Sequence, residues 1–264
     1  MPVKTKKRKP NWIHKAGLAW PILARTAKDK DTITYKELGG EIGEHHRNVR
    51  WVLGVIQQYC LDAGHPPLTG IVLSKTQKKP GAGFIAWDID DLNTALALVY
   101  ARNWSTMINP FAGFGSEDTV EKFAAKLINN PASSGDVYRQ VRDRGIAQRI
   151  FRQALLDAYG YRCAICDLGY EEALEAAHVV SFAECTMDQR IAVTNGVLLC
   201  ANHHKLYDSG WLNITAEFLV SYWDADQELG YSSAADDHAC TCRHGQKLRL
   251  PEDPRLHPII ASES

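Results

Sequence analysis

Two short ligand pairs constrain this chain more than any other feature of it. Cys163-Ala164-Ile165-Cys166 is a C-x-x-C, and Cys200-Ala201-Asn202-His203 is a C-x-x-H. A lone C-x-x-C also occurs in redox motifs, but those place the pair at a helix N-terminus. Here Asp167-Leu168-Gly169 predicts a turn instead. Two such pairs can meet as four tetrahedral ligands of one Zn²⁺. A structural zinc on Cys163, Cys166, Cys200 and His203 is therefore expected, with buried metal-free thiols as the alternative. Seven cysteines in a chain with no export signal fit thiolate ligands better than a disulfide framework. Cys60 and Cys185 stand alone and read as buried thiols. His238, Cys240, Cys242 and His244 crowd too closely to chelate a second ion without help from another strand.

Between the pairs, Leu174-Glu175-Ala176-Ala177-His178-Val179-Val180 predicts a half-buried strand. Alternation puts Ala176, His178 and Val180 on one side and Glu175, Ala177 and Val179 on the other. A lone strand histidine usually packs in a core, but this one has company. Asn195-Gly196 predicts a turn into the apolar strand Val197-Leu198-Leu199. The helix after Cys200 then presents His204 and, four residues later, Asp208 on one face. An imidazole and a carboxylate so placed can converge on one divalent ion.

These residues resemble the HNH endonucleases, whose core is the ββα-metal fold. The resemblance rests on Cys-x-x-Cys, Ala-Ala-His178, Asn195-Gly, Leu-Leu-Cys-x-x-His-His204 and Tyr-Asp208-x-Gly. It extends to a lead-in helix, Arg149-x-Phe-Arg-x-x-Leu-Leu, and to the stretch from His244 to Pro251, so it covers about residues 145–258. It implies phosphodiester hydrolysis, with catalytic residues His178, Asn195 and His204. His178, as neutral imidazole, is the general base. His204 and Asp208 would hold a catalytic Mg²⁺ or Mn²⁺, and Asn195 would pin the loop that holds His178. One departure stands out. Many members carry an Asp or His just before the base, where this chain has Ala177; Glu175, on the same strand face, is the candidate substitute.

The fold class expected overall is α+β: an N-terminal winged-helix-like domain, then a zinc-stapled ββα nuclease domain. Residues 1–11 read as a basic disordered arm, with Lys4, Lys6, Lys7, Arg8 and Lys9 and no acid, that can touch phosphates, with a solubilising tail as the alternative. Residues 12–104 form the first domain, 105–116 a linker rich in Gly and Pro, and 117–264 the nuclease domain. In the first domain, Ile33–Leu38, a helix from about Arg47 to Ala63, a strand over Leu68–Ser74, a turn over Lys75–Gly83 and a return strand over Phe84–Trp87 are expected. This pattern resembles the winged-helix domain of DNA alkyltransferases. The resemblance implies DNA contacts from Arg47, Asn48 and Arg50 on the helix and from Lys75, Lys78 and Lys79 on a basic wing. The family's acceptor Cys follows a Pro, and Pro66-Pro67 lead here to Leu68-Thr69, so alkyl transfer is not expected.

Further on, residues 117–128 predict one helix and Asp136–Tyr159 a second, long and basic, with Gly145 its weak point. Its arginines read as a solvated face, with contact to phosphate as the alternative. The net charge of −1 neither requires nor excludes a nucleic-acid partner. With no long apolar run, the expected location is the cytoplasm and no membrane partner is expected. The expected function is a DNA endonuclease, for which restriction of foreign or modified DNA is one setting. The alternative is a non-catalytic zinc-containing DNA-binding regulator, and RNA cleavage is a third reading. A double-strand cut needs two active sites or two visits, which is compatible with a homodimer.

Overall fold

The computed structural model describes residues 10–141, 143–226, 228–229 and 233–261. The basic cluster Lys4–Lys9 and Arg142 lie outside the described residues. The chain divides into two compact units, one of residues 1–119 and 141–145, the other of 120–140 and 146–264. No helix among the described residues is long and apolar enough to cross a membrane.

In the first unit, α1 (Trp12–Lys28) starts at Asn11, whose side chain accepts the His14 N–H, and runs unbroken through Pro21. Ile33–Thr34 forms β1. Thr34 then begins α2 (Tyr35–Glu41) with a reciprocal capping box to Glu37. After α3 (Val49–Asp62) the expected strand over Leu68–Ser74 is mostly a 3₁₀ turn. Only Val72–Leu73 extends, as β2, and it pairs parallel to β1.

The return strand expected over Phe84–Trp87 does not form. Its backbone has another partner. Gln57, buried in α3, donates to the Gly83 carbonyl at 3.2 Å and accepts the Ile85 N–H at 3.1 Å. One side-chain amide thus supplies bonds that a neighbouring strand would otherwise give. The helix α4 (Leu92–Ala101) buries Ala95 and Val99 and leaves Leu98 exposed.

Residues 105–116 are not a linker. Phe111 and Phe114 are buried, and Asn109 donates to the Gly17 carbonyl in α1 at 2.8 Å. The Phe111 ring meets Trp20 of α1 and Tyr59 of α3 edge-on, with centroids 5.9 and 5.7 Å apart. Apolar mass outweighs the loop-like Gly and Pro content, and the first unit runs on to Thr119.

The second unit opens with α5 (Val120–Asn129). The long helix expected over Asp136–Tyr159 is instead two, α6 (Ser134–Val141) and α7 (Arg144–Ala158). Then follow β3 (Leu174–His178) and β4 (Gly196–Cys200), antiparallel with Leu174 opposite Cys200 and His178 opposite Gly196. The ββα unit is completed by α8 (Ala201–Asp208). A hairpin of β5 (Leu212–Ile214) and β6 (Val220–Tyr222) and a short α9 (Ala234–Ala239) lie beyond it.

The α7 helix positions the hairpin. It buries Ile150, Phe151, Ala154 and Leu155 completely, and every residue of β4 is buried. A Cβ on Gly196 would lie 2.5 Å from the Phe151 ring and 2.7 Å from Leu155, so only glycine permits this approach. Arg152 donates from Nε to the Leu174 carbonyl at 3.0 Å and from Nη2 to the Glu171 carbonyl at 2.6 Å. Those bonds commit its guanidinium to the entry of β3. Arg144 and Arg149 are exposed.

Candidate active site and metal centre

The C-x-x-C pair sits on a tight knuckle. The Cys163 carbonyl accepts the Asp167 N–H at 3.1 Å, and the Cys163 N–H reaches the Leu168 carbonyl at 2.9 Å. Asp167 takes the left-handed conformation, with φ of 65°. The Ala164 N–H donates to Leu198 of β4 at 2.8 Å, which carries the knuckle to the start of α8. There Cys200 and His203 wait.

The four ligand atoms all lie within 4.8 Å of one another, and this is the only such cluster among the described residues. The Cys166 and Cys200 sulfurs are 3.8 Å apart, and the His203 Nδ1 is 3.5 Å from the Cys163 sulfur and 3.3 Å from that of Cys200. A zinc tetrahedron with bonds of about 2.3 Å to sulfur and about 2.0 Å to nitrogen has edges of roughly 3.8 and 3.5 Å. The donor set therefore fits Zn²⁺ in chemistry and spacing. The other His203 nitrogen, Nε2, donates to the Ala239 carbonyl at 3.0 Å. That bond fixes the tautomer and turns the Nδ1 lone pair toward the sulfurs. His238, Cys242 and His244 do not join such a cluster with Cys240.

The protonation pattern of the four groups shows what a cation would relieve. Hydrogen bonds from the Cys166 and Cys200 thiols hold Cys163 well below the usual thiol range. The Cys163 and Cys166 sulfurs in turn push Cys200 up. Burial pulls His203 down, but its contacts with the Cys163 and Cys166 sulfurs outweigh that and carry it up to about 9. A divalent cation lets all three cysteines bind as thiolates.

His178 ends β3. Its ring stacks on Phe151 at a centroid distance of 4.5 Å and meets the edge of Phe182 at 5.9 Å. Nε2 donates to the Arg190 carbonyl at 3.0 Å. In the neutral ring the basic lone pair is then on Nδ1.

Asn195 is buried and bonds the loop that follows β3. Its Oδ1 accepts the Val180 N–H at 2.8 Å, and its Nδ2 donates to the carbonyls of Val180 and Gln189 at 3.1 and 3.2 Å. The Val179 N–H adds a bond to the Asn195 carbonyl at 3.0 Å. Gln189, the residue before the His178 acceptor Arg190, is thereby tied to the segment that follows β3.

His204 and Asp208 lie one helical turn apart on α8, with His204 Nε2 3.5 Å from Asp208 Oδ2. That is long for a hydrogen bond and suits two donors to a shared ion. Glu175, on β3, reaches across to His204 Nδ1 at 2.7 Å. The structure so brings together Glu175, His204 and Asp208, while Ala177 is buried and offers no ligand atom. The sequence did not reveal Arg190 as the partner of His178; a backbone acceptor twelve positions away carries no side-chain signal.

In the first unit, Arg47 and Arg50 are exposed and line a cavity of about 400 Å³ with Tyr35 and Phe84. Asn48 is turned inward to Glu44, to which its Nδ2 donates at 2.9 Å. Lys75, Lys78 and Lys79 are exposed on the loop that the Ser74 N–H closes onto the Lys79 carbonyl, and Lys79 pairs with Asp90 at 3.3 Å.

No curated protein matches this chain, and no solved structure does. Residues 163–215, the span from the Cys163–Cys166 knuckle through β3, β4 and α8 to the end of β5, match the family model of the HNH endonucleases.

Proposed function

We propose that this protein is a DNA endonuclease in which the second unit cuts and the first reads DNA. The observation that carries the reading is the placement of His178. It ends the strand that pairs with the one leading into α8, and its Nε2–H is donated to a backbone carbonyl, which puts the basic lone pair of the neutral ring on Nδ1. In that role Nδ1 takes the proton from an attacking water. Asn195 is the positioning residue, since it fixes the loop carrying the Arg190 carbonyl. His204 and Asp208 would hold a divalent ion, Mg²⁺ or Mn²⁺, which would supply neutralisation of the negative charge that develops in phosphodiester cleavage. Glu175 orients His204 by accepting its Nδ1–H. Zinc on the Cys163, Cys166, Cys200 and His203 set is structural.

The first unit supplies Arg47, Arg50, Lys75 and Lys78 as exposed phosphate contacts in a winged-helix-like arrangement without a β-hairpin wing. Restriction of foreign or modified DNA in the cytoplasm suits a reader joined to a cutter, and a homodimer would bring two cutting sites to one duplex. The deciding experiment is plasmid nicking in Mg²⁺ or Mn²⁺ by wild type and by His178→Ala. Wild type should nick, and the variant should bind DNA equally well without nicking. Undiminished nicking by His178→Ala would overturn the assignment. Zinc and DNA binding by a wild-type protein that never cuts would mark a regulator instead, and cleavage of RNA alone would move the substrate class.

A further inference from the structure

The loop between β3 and β4 holds a cation with no anion beside it among the described residues. Arg190 is half-buried, and no carboxylate of those residues lies within 4.0 Å of its guanidinium. The nearby Asp188 faces Arg139 instead, at 3.6 Å. The Arg190 guanidinium lies 5.1 Å from the Tyr138 ring centre and 5.0 Å from that of Phe182. Nη1 donates to the Tyr138 hydroxyl at 2.9 Å, and Nε is buried without an acceptor. A partly desolvated cation left without a counter-charge is costly in a folded protein. Two aromatic faces and one hydroxyl offset part of that cost and fix the direction of the group.

What the guanidinium is fixed beside gives it a use. Phe182, which it covers, is the ring whose edge meets His178. The carbonyl of the same Arg190 takes the Nε2–H of that histidine. One residue therefore sets the orientation of the base through its backbone and places a fixed positive charge one aromatic ring away through its side chain. Asn195 secures this arrangement by its bond to the adjacent Gln189 carbonyl.

We propose that Arg190 grips a backbone phosphate of the strand being cut, and so sets the phosphodiester against His178; this rests on the reading of the second unit as a DNA-cutting domain. Phosphate oxygens are the anions such a substrate brings, and a rigid guanidinium fork matches two of them at once. Lysine in the same place would keep the charge and lose the fork.

The test reads charge and geometry separately. DNA affinity is measured against salt concentration in a His178→Ala background, which leaves the duplex uncut, with and without Arg190→Gln. Removing one guanidinium–phosphate pair should lower the slope of log K against log[salt] by about 0.9. In the otherwise wild-type protein, Arg190→Lys should keep the salt slope while turnover falls about a hundredfold, the scale for losing one oriented donor to a developing oxyanion. Zinc content and far-UV circular dichroism report whether each variant is folded. If Arg190→Gln fails to fold, Arg190→Lys alone decides: full turnover overturns the proposal and a large fall supports it. Wild type that cuts, together with an Arg190→Gln slope and turnover equal to wild type, overturns the arginine's role and leaves the endonuclease standing. Wild type that neither binds nor cuts DNA overturns both.

Discussion

Replacing Asn195 with alanine tests whether the loop behind His178 is held by that one side chain. The amide makes three hydrogen bonds, at 2.8, 3.1 and 3.2 Å, and the residue is 5% exposed. Each bond contributes about 0.5–1.5 kcal/mol net, and a buried partner left unsatisfied adds to the loss, so about 3 kcal/mol should go. In a domain of this size that lowers the melting temperature by roughly 6–12 °C. Turnover should fall by up to about a hundredfold, because a displacement near 1 Å at the base is enough to do so. Asn195→Asp sharpens the test. It is nearly the same shape, but its second oxygen would face the Val180 and Gln189 carbonyls where an N–H now donates. The charged form is disfavoured there, so the folded pKa lies above the unfolded value of about 3.9. A group raised in this way favours folding below its unfolded pKa and loses that contribution as pH rises through the folded one. Asn195→Asp should then be less stable than Asn195→Ala at pH 7, with the gap narrowing as the pH is lowered. Thermal denaturation of the zinc-loaded protein, paired with nicking rates, measures both effects. An Asn195→Ala protein that melts within about 2 °C of wild type and cuts at its rate would refute the reasoning.

Three further outcomes follow from the same geometry. Metal analysis should find one zinc per chain, and its removal by a strong chelator, or Cys163→Ser, should unfold the ββα unit, because structural zinc contributes on the order of 10 kcal/mol to such sites; an unchanged far-UV spectrum after complete removal would contradict this. Gly196→Ala puts a methyl 2.5 Å from the Phe151 ring and should cost about 1–3 kcal/mol in urea denaturation, so an unmoved midpoint counts against the close approach of α7. Burial pushes the Cys60 thiol up to about 11, whereas Cys242 is exposed; at pH 8 the native protein should label quickly at Cys242 and hardly at Cys60, and equal labelling rates mapped by mass spectrometry would show the Cys60 burial to be wrong.

The site was legible wherever its letters are local. C-x-x-C and C-x-x-H fix their own ligand spacing, and the i, i+4 pair His204 and Asp208 needs only a helix to come together. Contacts made by backbone could not be read that way. The Arg190 carbonyl receives His178 only because Asn195 shapes the loop between them, and no residue type announces a carbonyl. The fold shows the same division. Between Val141 and Ile146 the apolar spacing slips from four to five, a small irregularity at which the expected long helix divides into α6 and α7. Residues 105–116 read as a linker from their Gly and Pro, yet Phe111 and Phe114 decide the matter by burial. At Phe84–Trp87 a strand-like pattern stayed irregular because Gln57 offers the backbone a side-chain partner in place of a neighbouring strand.

Ala177 is the residue where sequence and structure have most to say to each other. Pleat alternation puts Glu175 and Ala177 on one face of β3, and two residues along a strand is about 6.6 Å. A glutamate carries its carboxylate several bonds beyond Cβ, so retreat by one pleat is offset by reach. Its oxygen stops at His204 Nδ1, not beside Asp208 Oδ2. With Nδ1 engaged as the donor, Nε2 becomes the nitrogen whose lone pair faces Asp208. The carboxylate thus acts behind the histidine, as an outer partner does at metal-binding imidazoles generally. His204 Nε2 and Asp208 would accordingly be the residues to hold the proposed ion, and Glu175 would compensate for Ala177 by orienting a ligand, without adding one.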